Sequence, residues 1–366
     1  MTGMTDAITQ TESERELSLR GITVGLDISD QFTSLCVLDA SGEVIEEGRL
    51  RTKTTAFSQR FSSMSPCRVI LEVGTHSPWI SRLLSSFGHE VIVANPRRVR
   101  LIADSTRKND RSDAETLARL GRIDPVLLSP IAHRAEQAQA DLAVIRARHA
   151  LVGARSSLIS HIRGAVKSSG ARLPACDAYM FHKKVAAAIP TELVPALSPL
   201  LEMIAELTTR IDSMDKTIAT LIRDRYPEAQ FLQQVPGVGP LISLTFVLSI
   251  GDPARFRKSR QVGPYLGLVP RQRESGDNSP QLGISKTGNA YLRQLLVNGS
   301  QYMLGFRGAD TDLRRWGLQR ASVGGKSGRK RAVVAVARKL AVLLHRLWVT
   351  GEVYVPVRSR EEVAIG

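Results

Sequence analysis

Four acidic residues stand where solvation alone does not explain a charge. Asp27 lies inside the apolar run Ile22-Thr-Val-Gly-Leu-Asp27-Ile28, and Glu72 closes Cys67-Arg-Val-Ile-Leu-Glu72 just before Gly74. A carboxylate in a buried-strand setting is costly unless it is paired or binds a metal. Asp110 and Asp113 stand at i, i+3 in Lys108-Asn-Asp110-Arg-Ser-Asp113-Ala, so a helix projects both from one face. The four form a set of hard oxygen ligands, which magnesium prefers and which two-metal phosphoryl-transfer sites use. The expected cofactor is Mg2+, as two ions, with Mn2+ able to substitute. Asp104, Glu115 and Asp124 lack such a setting and read as caps or solvated surface.

The elements that must hold these acids follow from pattern. Ile22–Ile28, Ser34–Leu38 and Glu43–Leu50 read as three successive antiparallel strands, the last two joined by an Asp39-Ala-Ser-Gly42 turn. Thr54–Ser63 has helical spacing, Cys67–Glu72 reads as a fourth strand, Trp79–Phe87 as a helix and Glu90–Ala94 as a fifth strand. A hairpin followed by alternating helices and strands predicts a mixed α/β sheet of the ribonuclease H kind. Asp110 and Asp113 would open the next helix.

Beyond this block the pattern turns helical. From Arg134 to about Val166 only Gly153 and Gly164 interrupt, and Arg146, Arg148, Arg155 and Arg163 stud the helix. After a Gly/Pro-bearing break, Leu200, Ile204, Leu207, Ile211, Met214, Ile218 and Leu221 are spaced 4, 3, 4, 3, 4, 3. That repeat predicts a coiled coil, with either the preceding helix or a second protomer as partner. Such a rod would set domain spacing and dimer geometry.

The charge is distributed unevenly. The 366 residues carry 50 Lys and Arg against 35 Asp and Glu, a net +15. Residues 1–50 hold three basic and ten acidic side chains, whereas residues 251–350 hold nineteen basic and five acidic. One block with a +14 balance points to a polyanion, above all the nucleic-acid backbone, rather than to a uniformly solvated surface. Three scattered cysteines make neither a disulfide framework nor a zinc site; Cys36 and Cys67 read as buried thiols of a reducing cytoplasm. The polar, acidic first eighteen residues lack a signal-peptide core. The most apolar run, Ala332–Val349, is broken by Arg338, Lys339, His345 and Arg346, so no membrane partner is expected. The seven histidines show no metal-ligand spacing.

Within the basic block, Val235-Pro-Gly237-Val-Gly239 followed by the helical Leu241–Ile250 is the pattern of a helix-hairpin-helix, whose glycines let backbone N–H groups approach a phosphate. Arg257, Lys258 and Arg260 follow at once. Gly324-Gly-Lys326-Ser-Gly-Arg329-Lys330-Arg331 is no phosphate loop, because residue 320 is Arg where the motif requires Gly. It reads as a flexible basic segment leading into the last helix, Arg331–Trp348. Trp316 and Trp348 read as core anchors. Further basic candidates for nucleic-acid contact are Arg97, Arg98, Lys108, Arg271, Arg273 and Lys286.

Gly25-Leu-Asp27, Leu71-Glu72-Val-Gly-Thr-His76, Asn95-Pro96 and Lys108-Asn-Asp110-Arg-Ser-Asp113-Ala resemble, in order, the signature of the insertion-sequence DEDD transposases. That family comprises bridge-RNA-guided recombinases with an N-terminal domain like the Holliday-junction resolvase RuvC. Tyr265-Leu-Gly-Leu-Val-Pro270-Arg271-Gln-Arg273-Glu274-Ser275-Gly276 resembles its second, transposase domain. The chain departs from the family pattern at Ser29-Asp30-Gln31, where a Lys is common, at His76 for Tyr, and at Asn109 for Thr.

The resemblance implies a RuvC-like domain over 21–130, a helical linker over 131–228 and a mostly helical transposase domain over 229–355. Tails 1–20 and 356–366 flank them. It further implies that Asp27, Glu72, Asp110 and Asp113 hold metal and that Ser275 is the nucleophile, forming a phosphoserine link to DNA. Ser279 and Ser285 are nearby rivals. A structured non-coding bridge RNA would select donor and target DNA, within a dimer that becomes a tetramer in the synaptic complex. The site would be composite, with domains from different protomers. A cytoplasmic bacterial protein, nucleoid-associated when active, is implied. Two other readings remain open: a hydrolytic junction-resolving nuclease in which Ser275 only shapes a loop, and an architectural nucleic-acid-binding protein with an inert acid cluster.

Overall fold

Apolar alternation and tight turns build the first unit. A computed structural model describes residues 21–95, 110–271, 282–323 and 325–357. The chain divides into two compact units, residues 1–135 and 136–366.

In the first unit, β1 (Thr23–Ile28), β2 (Phe32–Leu38) and β3 (Val44–Arg51) form an antiparallel meander. The Asp39 carboxylate closes the β2–β3 turn by accepting from the backbone N–H groups of Ser41 and Glu43 at 2.8 and 2.9 Å. Then follow α1 (Thr54–Phe61), β4 (Arg68–Glu72), α2 (Ser77–Ser86) and β5 (Glu90–Ala94). β4 lies parallel to both β1 and β5, giving the mixed order β3-β2-β1-β4-β5. All five predicted strands form. One sheet face buries Val24, Leu26, Val69 and Leu71 with Phe57, Phe61, Ile80 and Leu84.

The other face takes α3 (Asp110–Ile123). Ile70 packs there with Leu117 and Leu128, and Cys36 and Leu38 pack with Ala114 and Ala118. Small residues make the approach close: a Cβ on Gly25 would lie 2.0 Å from the Ala114 carbonyl oxygen. The Gly121 carbonyl accepts from Arg68 at 3.2 Å, near the start of β4. The helix therefore runs opposite to β1 and β4, its first turn at their C-terminal ends. Arg111 pairs with Glu47 and Arg119 donates to the Gly42 carbonyl at 3.2 Å, tying α3 to the β2–β3 hairpin.

The second unit is helical. α4 (Glu136–Ser168) and α6 (Val194–Arg225) form a long antiparallel pair, with α5 (Phe181–Val185) packed near the far end. Arg148 is bidentate to Asp215 at 2.6 and 3.0 Å, and Arg155 reaches Thr208 at 3.1 Å. The partner of α6 is thus the preceding helix of the same chain. The buried seam is Leu197, Leu201, Ile204, Thr208, Ile211, Ile218 and Leu221–Ile222. It keeps the 4-3 spacing but sits rotated from the predicted one: Leu200, Leu207 and Met214 are only partly buried. Thr208 takes an inward position because its hydroxyl is satisfied by the Ile204 carbonyl at 2.8 Å and by Arg155.

The base of this pair joins a core built by α7 (Pro227–Leu232), α8 (Pro240–Ile250), α9 (Val262–Tyr265), α10 (Ala290–Met303), α11 (Asp312–Val323) and α12 (Gly328–Thr350). Asp141, 3% exposed, closes the base: its carboxylate accepts from Arg225 at 2.9 Å and from the Tyr226 hydroxyl at 2.7 Å. Trp316 and Trp348 pack against the core as expected. α12 begins three residues earlier than predicted, after a 3-10 turn Gly325–Ser327, so Arg329, Lys330 and Arg331 are helical rather than a flexible lead-in. Among the described residues no helix is long and apolar enough to cross a membrane.

Candidate active site and nucleic-acid surface

Asp27 and Glu72 end up side by side for a simple reason of register. Leu26 pairs with Leu71 across parallel strands, so the next residues, Asp27 and Glu72, are opposite each other. Both alternate with core residues of the opposite face, Leu26 and Leu71, and so share the α3 side of the sheet with Gly25 and Ile70. Both are half-buried, and both have electrostatic or hydrogen-bond partners. The first turn of α3 brings Asp113, also half-buried, to the same end of the strands. Asp110 opens the helix; its side chain lies outside the described residues, as does Lys108.

Among the described residues no group of three or more His, Cys, Asp or Glu has metal-binding spacing. The donor set still fits a hard cation: two carboxylates in register on one face, with a third on the facing helix turn and no sulfur or imidazole among them. Glu115 pairs with Arg119 at 2.8 Å, and Asp124 caps the turn Pro125–Leu128 through the Val126 N–H at 2.9 Å.

At the same strand ends lies a further pair, His76 and Asp30. The Trp79 indole N–H donates to His76 Nδ1 at 3.1 Å, which leaves Nε2 as the N–H that donates to the exposed Asp30 carboxylate at 3.2 Å. The two departures, at Ser29-Asp30-Gln31 and at His76, therefore contact one another through Asp30. Strand register was the signal that could have found this pair.

In the second unit the predicted hairpin is a seven-residue turn between α7 and α8. Gly237 has φ +85°, and its carbonyl oxygen would lie 3.0 Å from a Cβ on Gly299. A side chain at 237 would be strained by conformation and would also meet Met303 at 3.0 Å. Gly239, with open space around it, and Pro240 are exposed at the start of α8. Arg257, Lys258, Arg260, Arg271 and Lys286 are exposed. Arg97, Arg98, Arg273 and Ser275 lie outside the described residues, as do Ser279 and the side chain of Lys326.

The Arg271 N–H donates to the Gly283 carbonyl at 3.0 Å, Ser285 to Val269 at 2.8 Å and Lys286 to Gly267 at 3.1 Å. These bonds make a short two-stranded stem. Pro270, Leu282, Gly283 and Ile284 of this stem line a groove of about 1170 Å³. Of the predicted basic residues, Arg260, Lys330 and Arg331 line it too; Arg320, Arg338, Lys339 and Arg346, not singled out by motif, complete its basic lining. The seven-residue spacing of Arg331/Arg338 and Lys339/Arg346 along one helix was the available signal.

Two transposase family models match the chain. A DEDD transposase model of the IS110 type covers residues 24–169, and the model described as transposase IS116/IS110/IS902 family covers residues 229–312. The chain is 30% identical over 350 residues to a protein of Coxiella burnetii named transposase for insertion sequence element IS1111A, covering 93% of each. It is 29% identical over 300 residues to a probable family 20 transposase of Pseudomonas aeruginosa, covering 80% of this chain and 87% of that one. The transposase for insertion sequence element IS1328 of Yersinia enterocolitica is 29% identical over 280 residues, with 75% and 81% covered.

Proposed function

The chain belongs to the IS116/IS110/IS902 family of insertion-sequence transposases, and from that premise we propose that it cuts and rejoins DNA strands with a carboxylate-bound metal site and a serine nucleophile. The observation that carries the first half is the register of Asp27 with Glu72, on the face that receives the first turn of α3. Asp27, Glu72, Asp110 and Asp113 would hold Mg2+, or Mn2+ in its place, in a RuvC-like domain. When bound, the ions supply Lewis-acid stabilisation of charge on the phosphodiester.

The chain's own residues do the rest. Ser275 attacks the scissile phosphorus, one ester oxygen leaves with its strand end, and the phosphate stays on the serine until an incoming hydroxyl displaces it. Arg271, at the top of the stem, and Arg273 stand in the chain beside Ser275 and would neutralise the phosphate during attack. The turn around Gly237 and Gly239 would act as a helix-hairpin-helix on the strand backbone, and the α4–α6 pair as a coiled-coil spacer between protomers. Choice of donor and target DNA is assigned to a bridge RNA, and the working assembly to a dimer that pairs into a tetramer.

Three substitutions separate the parts. Asp27→Ala should abolish all strand cutting on a DNA substrate, while Ser275→Ala should abolish strand exchange and the covalent protein–DNA adduct. Hydrolytic cutting that survives Ser275→Ala would replace this reading with that of a nuclease. Unchanged recombination after RNase treatment of the purified protein would remove the RNA from it.

A further inference from the structure

In the groove between α11, α12, residues 267–271 and 282–286, and the segment 352–356, two cations sit on one aromatic ring. Lys339 Nζ lies 4.1 Å from the centroid of the Trp316 ring, and the Arg320 guanidinium carbon lies 5.2 Å from the same centroid. Among the described residues, seven lysines and arginines line the groove against two carboxylates, Asp312 and Glu352, and Glu352 is already bound to Arg346 at 2.8 Å. Burial, and after it the charge of Arg320, lowers the pKa of the Lys339 amine. Two like charges gathered on one ring are stabilised by an anion.

The walls add a second requirement. Leu313, Val334, Leu343 and Val355 give the groove an apolar lining beside the Trp316 ring. A duplex offers phosphates but keeps its base faces stacked inside, so it would leave that lining unused. An unpaired strand offers both phosphates and free base faces. The volume, about 1170 Å³, exceeds the ~300–1,000 Å³ of pockets that enclose a single small ligand.

We propose that this groove seats an unpaired stretch of DNA strand, with its backbone phosphate at Lys339 and Arg320 and a neighbouring base on the apolar wall beside Trp316. The assignment to DNA rests on the strand-exchange reading above, because exchange exposes unpaired strands. It does not depend on which residue is the nucleophile.

The test is equilibrium binding of the full chain, by fluorescence anisotropy, to a short dye-labelled single-stranded DNA, to the same sequence as a blunt duplex, and to the same sequence as RNA. Arg320→Gln and Lys339→Met, which keep most of the side-chain volume, should each weaken single-stranded DNA binding about 10-fold and leave duplex binding within about two-fold. Each should also flatten the log–log salt slope for the single strand by about 0.7. Equal losses on duplex and single strand would overturn the proposal in favour of a general backbone surface. Unchanged affinity would overturn it outright, and a loss confined to RNA would overturn the assignment to DNA. Arg320 is exposed at the end of α11, so its variant keeps the test valid if Lys339→Met fails to fold. Binding is read without chemistry, so an inactive Ser275→Ala or Asp27→Ala protein tests the function separately.

Discussion

Replacing Gly25 with alanine should lift α3 off the sheet and take the first-turn carboxylates with it. The added Cβ would lie 2.0 Å from the Ala114 carbonyl oxygen, 2.7 Å from the Ala118 nitrogen and 2.9 Å from the Ala118 Cβ. Two of these three atoms are backbone, so no rotamer change relieves the overlap. Restoring an ordinary 3.4 Å contact to Ala114 requires a movement of about 1.4 Å. Overpacking of this kind costs about 1–3 kcal/mol. Reduced entropy of the unfolded chain returns about 0.4–1 kcal/mol, so destabilisation wins.

For a unit of this size the net loss should lower the melting temperature by up to roughly 10 °C. Because a misplacement of about 1 Å costs roughly 100-fold in a positioned reaction, Mg2+-dependent strand cutting should fall by about that factor in protein still folded at the assay temperature. Gly48→Ala in β3 is the control: its Cβ would meet only Leu35, at 3.9 Å, and both readouts should stay near wild type. Calorimetry and a strand-cutting assay decide the matter. A Gly25→Ala protein with wild-type melting and wild-type cutting would refute the coupling between sheet, helix and carboxylates.

Other consequences are as direct. Asp141→Asn should cost about 1–3 kcal/mol in a denaturant melt, since it removes the charge, keeps one acceptor oxygen for Arg225 and Tyr226 and turns an N–H donor toward the other, whereas Arg223→Ala, which breaks only an exposed pair with Asp224, should stay within about 0.5 kcal/mol. Gly153→Ala and Gly164→Ala, in open space on α4, should each stabilise the second unit by about 0.5–1 kcal/mol; a drop in melting temperature would show that something packs on that helix face. Burial pushes the Cys67 thiol up to about 11 and raises Cys36 as well, so a thiol reagent at neutral pH should modify Cys176 in native protein and reach the other two only on unfolding.

How much was legible in the residues differs by element. Short apolar runs bounded by turn residues gave all five strands, because apolar run length and turn chemistry are local properties; β4 and β5, covered on both faces, are continuous rather than alternating. The 4-3 spacing of α6 was equally visible, yet the seam came out rotated toward Leu201 and Thr208. Which stripe is buried depends on the facing helix, and Arg155 on α4 makes a hydroxyl acceptable inside. The polar–basic composition of 324–331 looked flexible, whereas docking of α12 into the core extended the helix back to Gly328.

The four carboxylates and the basic C-terminal block were fixed by residue identity: an acid in an apolar run and a local excess of charge are properties of the chain itself. What put Asp27 opposite Glu72 was parallel pairing of strands more than forty residues apart, and what turned α3 toward them was the fit of Ala114 and Ala118 over Gly25. The contact of His76 with Asp30 and the placement of Lys339 and Arg320 on one tryptophan ring are likewise tertiary. Side-chain type is written residue by residue. Which charges meet is set by long-range pairing and close packing, and no spacing along the chain encodes that.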